Sequence, residues 1–253
     1  MGFYVVGSAS MGAFEAGRSD VDFVAVVDGV VGRTELARLR ALHVGRWASA
    51  LLHDLGLRGR WPLVCNGIYL RAEDLASSPL EVVPIAGHVT GRFRVATREG
   101  FDVNPVTWSV LARHGIAIRG PERDRLAIRT DSDELRAWCL ANLNSYWRHW
   151  VRRVGHGYLN ARGVPPRRLA ASGVLGAPRL HYTVATGQIA TKEAAGHYAL
   201  EVFDPRWHGL IDDALAFRRG EPSPSRYRRR PAHRRRDAAQ FVDSVVEAAN
   251  RLA

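Results

Sequence analysis

The stretch Tyr4–Val27, YVVGSASMGAFEAGRSDVDFVAVV, places two short apolar runs on either side of a segment rich in small residues. The runs Phe3–Val6 and Val21–Val27 are apolar and rich in Val, and they are bounded by Gly and polar residues, which predicts two strands. Asp20 and Asp22 stand at the start of the second run. Because residues i and i+2 of a strand point to the same face, the two carboxylates are expected to project together.

A pair of like charges on one strand predicts a cation between them. The backbone separates Asp20 and Asp22 by about 7 Å, and Mg²⁺ prefers carboxylate oxygens together with water and phosphate. Upstream, Gly7 and Ser8 end the first strand and are expected to offer N–H groups and a hydroxyl to phosphate oxygens. This combination is typical of phosphoryl or nucleotidyl transfer. The alternative is a turn or helix cap at Asp20 and an exposed edge-strand charge at Asp22.

The pattern along the chain predicts an α+β fold with two domains. Strand and helix signals alternate over residues 1–120, which predicts a domain built on a sheet with helices. Residues 121–253 show helical periodicity alone, with short connections, which predicts an all-α helical bundle domain. The helices expected after a first one at 135–154 are Leu169–Thr186, Lys192–Phe203, His208–Arg218 and Ala238–Leu252.

The composition is that of a globular protein, because 46% of the 253 residues are hydrophobic and 24% are charged. No apolar run approaches the roughly 18 residues of a membrane helix, so no membrane partner is expected. A basic leader is not seen at the start. Cys65 and Cys139 lie far apart, which favours a reducing cytoplasm and offers no cysteine-based metal site.

Positive charge is concentrated near the C-terminus. The formal net charge is +11, and Arg218–Asp237 contributes +7 through nine Arg and two acids. A basic, Pro-rich connector is typical of a solvated segment, so an Arg-rich loop is expected over 218–237. The alternative is an RNA-binding module that uses this loop nonspecifically. The preferred interpretation has no nucleic-acid partner.

The first motif resembles a known superfamily. GSASMGAFEAGRSDVDFVAVV is similar to the Gly-Ser…Ser-Asp-x-Asp signature of the DNA-polymerase-β-like nucleotidyltransferases. NPVTWSVLARHGIAIRGP and PRLHYTVATGQIATKEAAGHYA resemble the aminoglycoside adenylyltransferases of the streptomycin/spectinomycin type, which have a helical C-terminal domain. The resemblance implies an enzyme that uses ATP and Mg²⁺, transfers AMP to a hydroxyl of a small molecule and releases pyrophosphate.

The resemblance also implies roles for single residues. Gly7, Ser8 and Ser19 would contact the triphosphate, and Asp20 and Asp22 would hold Mg²⁺. In the C-terminal half, two basic residues would hold the ATP phosphates, Arg179 and Lys192.

Lys192 is the only lysine of the chain. It stands near a predicted helix start, where a cation is unfavourable without an anion nearby. Codon usage explains a single lysine equally well, and Arg179 would otherwise be an ordinary surface residue.

The chain departs from the family pattern at the general base. The family has a Glu on the next strand, and the best register places Asn66 there. An amide cannot accept the proton of the acceptor hydroxyl, so a contribution of about 10²–10⁴-fold would be missing or supplied by another group. Asn66-Gly67 is equally typical of a bulge or turn. A catalytically impaired nucleotide-binding relative is therefore the alternative to an active enzyme.

A second departure concerns the acceptor. Members of the family bind polycationic aminoglycosides through acidic and aromatic side chains. In this sequence the loop before the Arg179 helix contains no acid and has three arginines, Arg162, Arg167 and Arg168. A small neutral or anionic hydroxyl compound is therefore expected in preference to a polycation. Three tryptophans are either aromatic residues of such a pocket or part of the core: Trp108, Trp147 and Trp150. His88 and His149 are either hydrogen-bond donors in the pocket or packing or surface residues.

Overall fold

The computed structural model describes residues 1–53, 63–99, 102–155, 165–224, 227 and 230–252. They form two compact units, Met1–Asp131 and Ser132–Ala253. The first contains a mixed sheet with helices and the second contains helices alone among its described residues, so the predicted α+β fold class is confirmed. The division falls at Asp131, whereas the sequence placed it at residue 120, because a short 3-10 turn, Arg123–Arg125, still follows within the first unit.

The first unit is built around one mixed sheet. Its described elements are β1 (Gly2–Val6), α1 (Gly7–Ser10), β2 (Val21–Val27), α2 (Arg33–Ala50), β3 (Cys65–Arg71), a 3-10 turn (Glu73–Ala76), β4 (Ala86–Val89), β5 (Arg92–Val95), α3 (Pro105–His114), β6 (Ile116–Arg119) and a 3-10 turn (Arg123–Arg125). The strand order is β5-β4-β3-β2-β1-β6.

The position of β2 in the middle of this sheet sets up the site. It pairs antiparallel with β1, where Val6 is opposite Asp22, and parallel with β3, where Asp22 is opposite Asn66. A parallel pair requires a crossover, and α2 lies in that connection, with Leu36 and Leu39 packed on the core around Phe23. The end of β1 therefore meets the starts of β2 and β3 at one edge of the sheet.

The second unit is a helical bundle. Its described elements are α4 (Ser132–Asn142), a π-turn (Leu143–Trp147), α5 (Arg148–Gly155), α6 (Pro166–Thr186), α7 (Lys192–Val202), a 3-10 turn (Pro205–Trp207), α8 (His208–Arg219) and α9 (Pro231–Asn250). These helices start and stop within about three residues of the prediction, except that α9 begins at Pro231 and not at Ala238. No described helix is both long and apolar enough to cross a bilayer.

Helix α6 packs against α7, α8 and α9 and carries the close contacts of the bundle. The rings of Trp150 and Trp147 lie directly on Gly173 and Gly176, and a Cβ at Gly176 would be 2.5 Å from the Trp147 ring. Both indoles are buried, as is Trp108 of the first unit. All three tryptophans are therefore core residues, and their role is packing.

The prediction of an Arg-rich loop over 218–237 is wrong at both ends. Arg218 and Arg219 end α8, and α9 begins at Pro231, where proline fits the first helical position because no N–H is needed there. Arg234 is buried, and its Nε lies 2.8 Å from the carboxylate of Asp213. The partner that turns this arginine inward lies on α8, so composition alone could not reveal it. Residues 225–226 and 228–229 lie outside the described residues.

Candidate functional site

Asp20, Asp22 and Asn66 lie together at the edge where β2 and β3 begin. Asp22 is in β2, Asp20 immediately precedes it, and the Cα of Asn66 is the parallel partner of Asp22. The amide Nδ2 of Asn66 donates to Oδ2 of Asp20 at 3.2 Å. All three side chains are partly exposed. The register inferred from the sequence therefore agrees with the position that Asn66 occupies.

Gly7 lies against the carboxylate of Asp22. It has φ +67°, and a Cβ at this position would collide with Oδ2 of Asp22. Only glycine meets both conditions, so the backbone at the end of β1 approaches the acid closely. Ser8 follows in the single turn α1 and is partly exposed.

Ser19 orders the connection that leads into Asp20. It is buried, its hydroxyl accepts the N–H of Glu15 at 3.0 Å, and its own N–H donates to the Glu15 carbonyl at 2.8 Å. These paired bonds close a tight turn immediately before the first acid. The side chain thereby fixes where Asp20 leaves the turn.

The orientation of the Asn66 amide follows from its second partner. Its Oδ1 accepts the backbone N–H of Thr90 at 3.0 Å. A backbone N–H can only donate, so the amide oxygen faces Thr90 and the NH₂ group faces Asp20. In this arrangement Asn66 offers the carboxylate a donor, and it has no group that could take a proton from a hydroxyl.

Asp20 and Asp22 place two negative charges near Cys65 at this edge, and Arg46 acts in the opposite direction. Desolvation raises the pKa of the Cys65 thiol, and the charges of Asp20 and Asp22 raise it further. No group of three His, Cys, Asp or Glu side chains that could hold a metal occurs among the described residues. Two carboxylates fit Mg²⁺ nonetheless, because that ion usually takes one or two protein carboxylates and completes its shell with water and phosphate.

In the second unit, Arg179 and Lys192 come together at one helix start. Lys192 is the first residue of α7, whose N-cap Thr191 accepts the N–H of Ala194 at 3.1 Å. Arg179 of α6 donates from Nε to the carbonyl of Ala190 at 3.0 Å. The guanidinium is therefore tied to the loop that leads into Lys192. Two cations beside helical N–H groups are the donor set that an anion prefers.

Comparison with known proteins identifies the C-terminal half directly. Residues 166–248 match the family model described as aminoglycoside adenylyltransferase, C-terminal domain. Over these residues the chain is similar to the C-terminal domain of the aminoglycoside adenylyltransferases. Its structure is also similar to that of the spectinomycin adenyltransferase AAD(9) from Enterococcus faecialis, solved with ATP and spectinomycin. The TM-score is 0.68 at 13% identity, over 99% of this chain and 91% of that chain. No curated protein matches by sequence.

The helical bundle uses Arg167 internally. This residue lies in the first turn of α6, its Nε is 3.3 Å from the carboxylate of Asp213, and its Nη1 donates to the Glu221 carbonyl at 2.8 Å. Its guanidinium therefore has partners inside the bundle, and it shares the Asp213 carboxylate with Arg234. Arg167 therefore no longer supports the electrostatic argument against a polycationic acceptor. Arg168 is partly exposed in the same turn, and Arg162 lies outside the described residues.

Sequence reasoning missed the turn at Thr90 and Gly91. Both residues have positive φ, 46° and 78°, and they join β4 to β5 as a two-residue hairpin loop. Such turns favour Asn-Gly, and the β-branched Thr90 conceals the signal. His88, two residues before Thr90, is buried and its Nδ1 bonds the Cys65 carbonyl of β3, so its side chain is packed within the fold. The only available sequence signal was Gly91 between two short apolar runs.

Proposed function

We propose that this chain is a Mg²⁺-dependent adenylyltransferase that transfers AMP from ATP to a hydroxyl of a small, aminoglycoside-type molecule and releases pyrophosphate. The observation that carries the proposal is that Asp20 and Asp22 lie at the edge where the backbone of Gly7 closely approaches the Asp22 carboxylate. The family match over 166–248 supports the enzyme class, and the shared fold agrees with it.

Asp20 and Asp22 would hold the metal ion. When bound, Mg²⁺ would neutralise phosphate oxygens and so favour attack at phosphorus. Gly7 contributes by leaving room for the Asp22 carboxylate at the end of β1, which no residue with a Cβ allows. Ser19 holds the turn from which Asp20 emerges. We assign Ser8, on the exposed side of α1, to a phosphate contact.

Arg179 and Lys192 are assigned to the phosphates of ATP. The support is their convergence on the N-terminus of α7 through the Arg179–Ala190 hydrogen bond. Glu193, the neighbour of Lys192, is engaged elsewhere, because its carboxylate lies 3.0 Å from Nη1 of Arg219. The acid next to Lys192 therefore has a charged partner in Arg219.

Two measurements test the proposal. Thermal unfolding with and without Mg²⁺ and ATP reports binding to the folded protein, and a midpoint that does not rise would contradict a nucleotide site. Pyrophosphate release is then measured with spectinomycin, streptomycin and uncharged hydroxyl compounds as separate acceptors. The variant Asp22→Asn removes a carboxylate at nearly constant volume and should abolish metal-dependent release. Release by this variant at the wild-type rate would show that the acid is structural.

A second candidate is a nucleotide-binding relative with little turnover. The observation in its favour is the Asn66 amide, whose donor end faces Asp20 and which cannot act as a base. This candidate predicts stabilisation by Mg²⁺ and ATP without pyrophosphate release from any acceptor. Release above that of Asp22→Asn would exclude it.

A further inference from the structure

The hairpin turn at Thr90 and Gly91 is held from two directions. Asn66 accepts the N–H of Thr90, and Nε2 of His88 accepts the N–H of Gly91 at 3.1 Å. Asn66 and Gly67 are neighbours in β3 and therefore point to opposite faces of the sheet. Because His88 pairs with Gly67, the side chains of His88 and Asn66 approach the turn from opposite faces. Both N–H groups of a two-residue loop, which the β-ladder does not use, are thereby satisfied.

His88 is fixed in one tautomer by this arrangement. Its Nδ1 lies 2.8 Å from the carbonyl oxygen of Cys65, which can only accept, so Nδ1 bears the proton and Nε2 is the acceptor. The imidazole is buried and stacks on His43 at 4.8 Å between ring centroids. It therefore has little freedom to leave the two bonds.

These bonds form a closed path back to the acid. His88 bonds to Cys65, which directly precedes Asn66. His88 also accepts the N–H of Gly91 in the turn, and the neighbouring Thr90 donates its N–H to the Asn66 side chain. The path continues from Asn66 Nδ2 to Asp20 Oδ2. Asp20 precedes β2 and is outside the strand, so the path fixes a carboxylate that the sheet alone would leave less constrained.

The turn itself is strained. Thr90 is β-branched at φ +46°, a conformation that L residues with a branched side chain rarely adopt. A Cβ at Gly91 would lie 2.6 Å from the ring of Trp47, so the turn is also pressed against α2. Strain of this kind persists where the surrounding contacts over-determine it.

We infer that His88 is a positioning residue for the metal site and acts through the Thr90–Gly91 turn and Asn66 on the orientation of Asp20. The inference rests on the proposed function, since it requires Asp20 to bind the metal. In this role Asn66 connects the turn to Asp20 and holds its carboxylate in place. The amide would then have a structural use at the position where the family pattern has its general base. Loss of an orienting partner of a metal ligand typically lowers metal affinity ten- to hundredfold.

The test is Mn²⁺ binding, measured by electron paramagnetic resonance in the presence of an ATP analogue with a methylene group between its α and β phosphorus atoms. Two polar variants are compared. His88→Gln can keep an acceptor near the Gly91 N–H, whereas His88→Asn can keep only the donor to Cys65. We expect His88→Asn to lose about ten- to hundredfold in Mn²⁺ affinity and His88→Gln to lose less. Equal affinity of both variants and the wild type would overturn the inference.

A double-mutant cycle with Asn66→Ala separates positioning from general loss of stability. If His88 acts through Asn66, His88→Asn should cause no further loss of Mn²⁺ affinity in the Asn66→Ala background. An undiminished further loss would overturn the inference. This cycle also remains informative if one His88 variant is unstable, because either variant can be used.

Failure of the proposed function has a different signature. If wild type and Asp22→Asn bind Mn²⁺ equally, the carboxylates do not hold the metal, and the proposed function fails. If Asp22→Asn loses binding while both His88 variants keep it, only the positioning role fails. His43→Phe is the matched control, because His43 stacks on His88 but bonds the hydroxyl of Tyr69.

Discussion

Asn66→Glu places a third carboxylate beside Asp20 and is the most informative single change in this chain. In the wild type, Nδ2 of Asn66 lies 3.2 Å from Oδ2 of Asp20, so the substitution replaces a donor by a negative charge at close range. The hydrogen bond to Asp20 becomes a repulsion. The same carboxylate stands where the family pattern expects the general base.

The cost without metal follows from the distance. Two like charges about 4 Å apart repel by about 4 kcal/mol at an effective dielectric constant near 20. The side chains here are partly exposed, so solvent reduces this to roughly 1–2 kcal/mol. We therefore expect the unfolding midpoint of the metal-free variant to fall by about 3–6 °C. Mg²⁺ with ATP should recover this loss and give a larger rise in midpoint than in the wild type.

The gain in rate comes from proton transfer. A positioned general base typically contributes about 10²–10⁴-fold, so the initial rate of pyrophosphate release should rise by at least about tenfold even with imperfect geometry. Asn66→Gln is the control, because it has the length of Glu without the charge. If Asn66→Glu binds Mg²⁺ and ATP yet releases pyrophosphate no faster than Asn66→Gln, position 66 is not the base position.

The remaining predictions concern the second unit. Lys192→Ala should weaken ATP binding more than acceptor binding, as shown by the Michaelis constants for the two substrates; equal losses would argue against a phosphate contact. Asp213→Asn should lower the free energy of unfolding in urea by about 3–5 kcal/mol, because the buried guanidinium of Arg234 loses its charged partner; a change below about 1 kcal/mol would contradict this. Burial, helped by the positive charge of Arg251, lowers the pKa of His181 to about 4. As the pH falls from about 6.5 to about 4 the unfolded chain binds the proton first, so stability should decrease by up to about 3 kcal/mol, and His181→Gln should flatten that slope in urea titrations at each pH.

Part of the candidate site was predictable because it is local. The alternation of Asp20, Val21 and Asp22 is a property of three neighbouring residues, and strand geometry alone puts both acids on one face. The stop at the end of β1 was likewise visible in Gly7, although the collision between a Cβ there and Asp22 was not. The register that brings Asn66 opposite Asp22 required the resemblance, because parallel pairing joins segments that are distant in sequence.

The acceptor argument lost one of its three arginines for a related reason. Arg167 counted as an unpaired positive charge when only its neighbours in the loop were considered. Its partner Asp213 lies on α8, and the two meet only when α6 and α8 pack. The same carboxylate also pairs with Arg234, which composition had assigned to a solvated loop, so the two guanidinium groups share one negative charge. Charge counted along a sequence therefore overstates the charge that a folded surface presents.

The amino-acid sequence by itself determined the order of an α+β unit and a helical unit, the bounds of most helices and strands to within a few residues, and the pair of acids. These follow from the period of apolar residues and from Pro and Gly at element ends, which act within a few residues. Only the tertiary structure decided that the NH₂ group of Asn66 faces Asp20, that the turn after His88 sets this orientation, and that Asp213 turns two arginines inward. Those outcomes depend on partners supplied by other elements, and hydrogen bonds and ion pairs form between whichever groups the packing brings within about 3 Å.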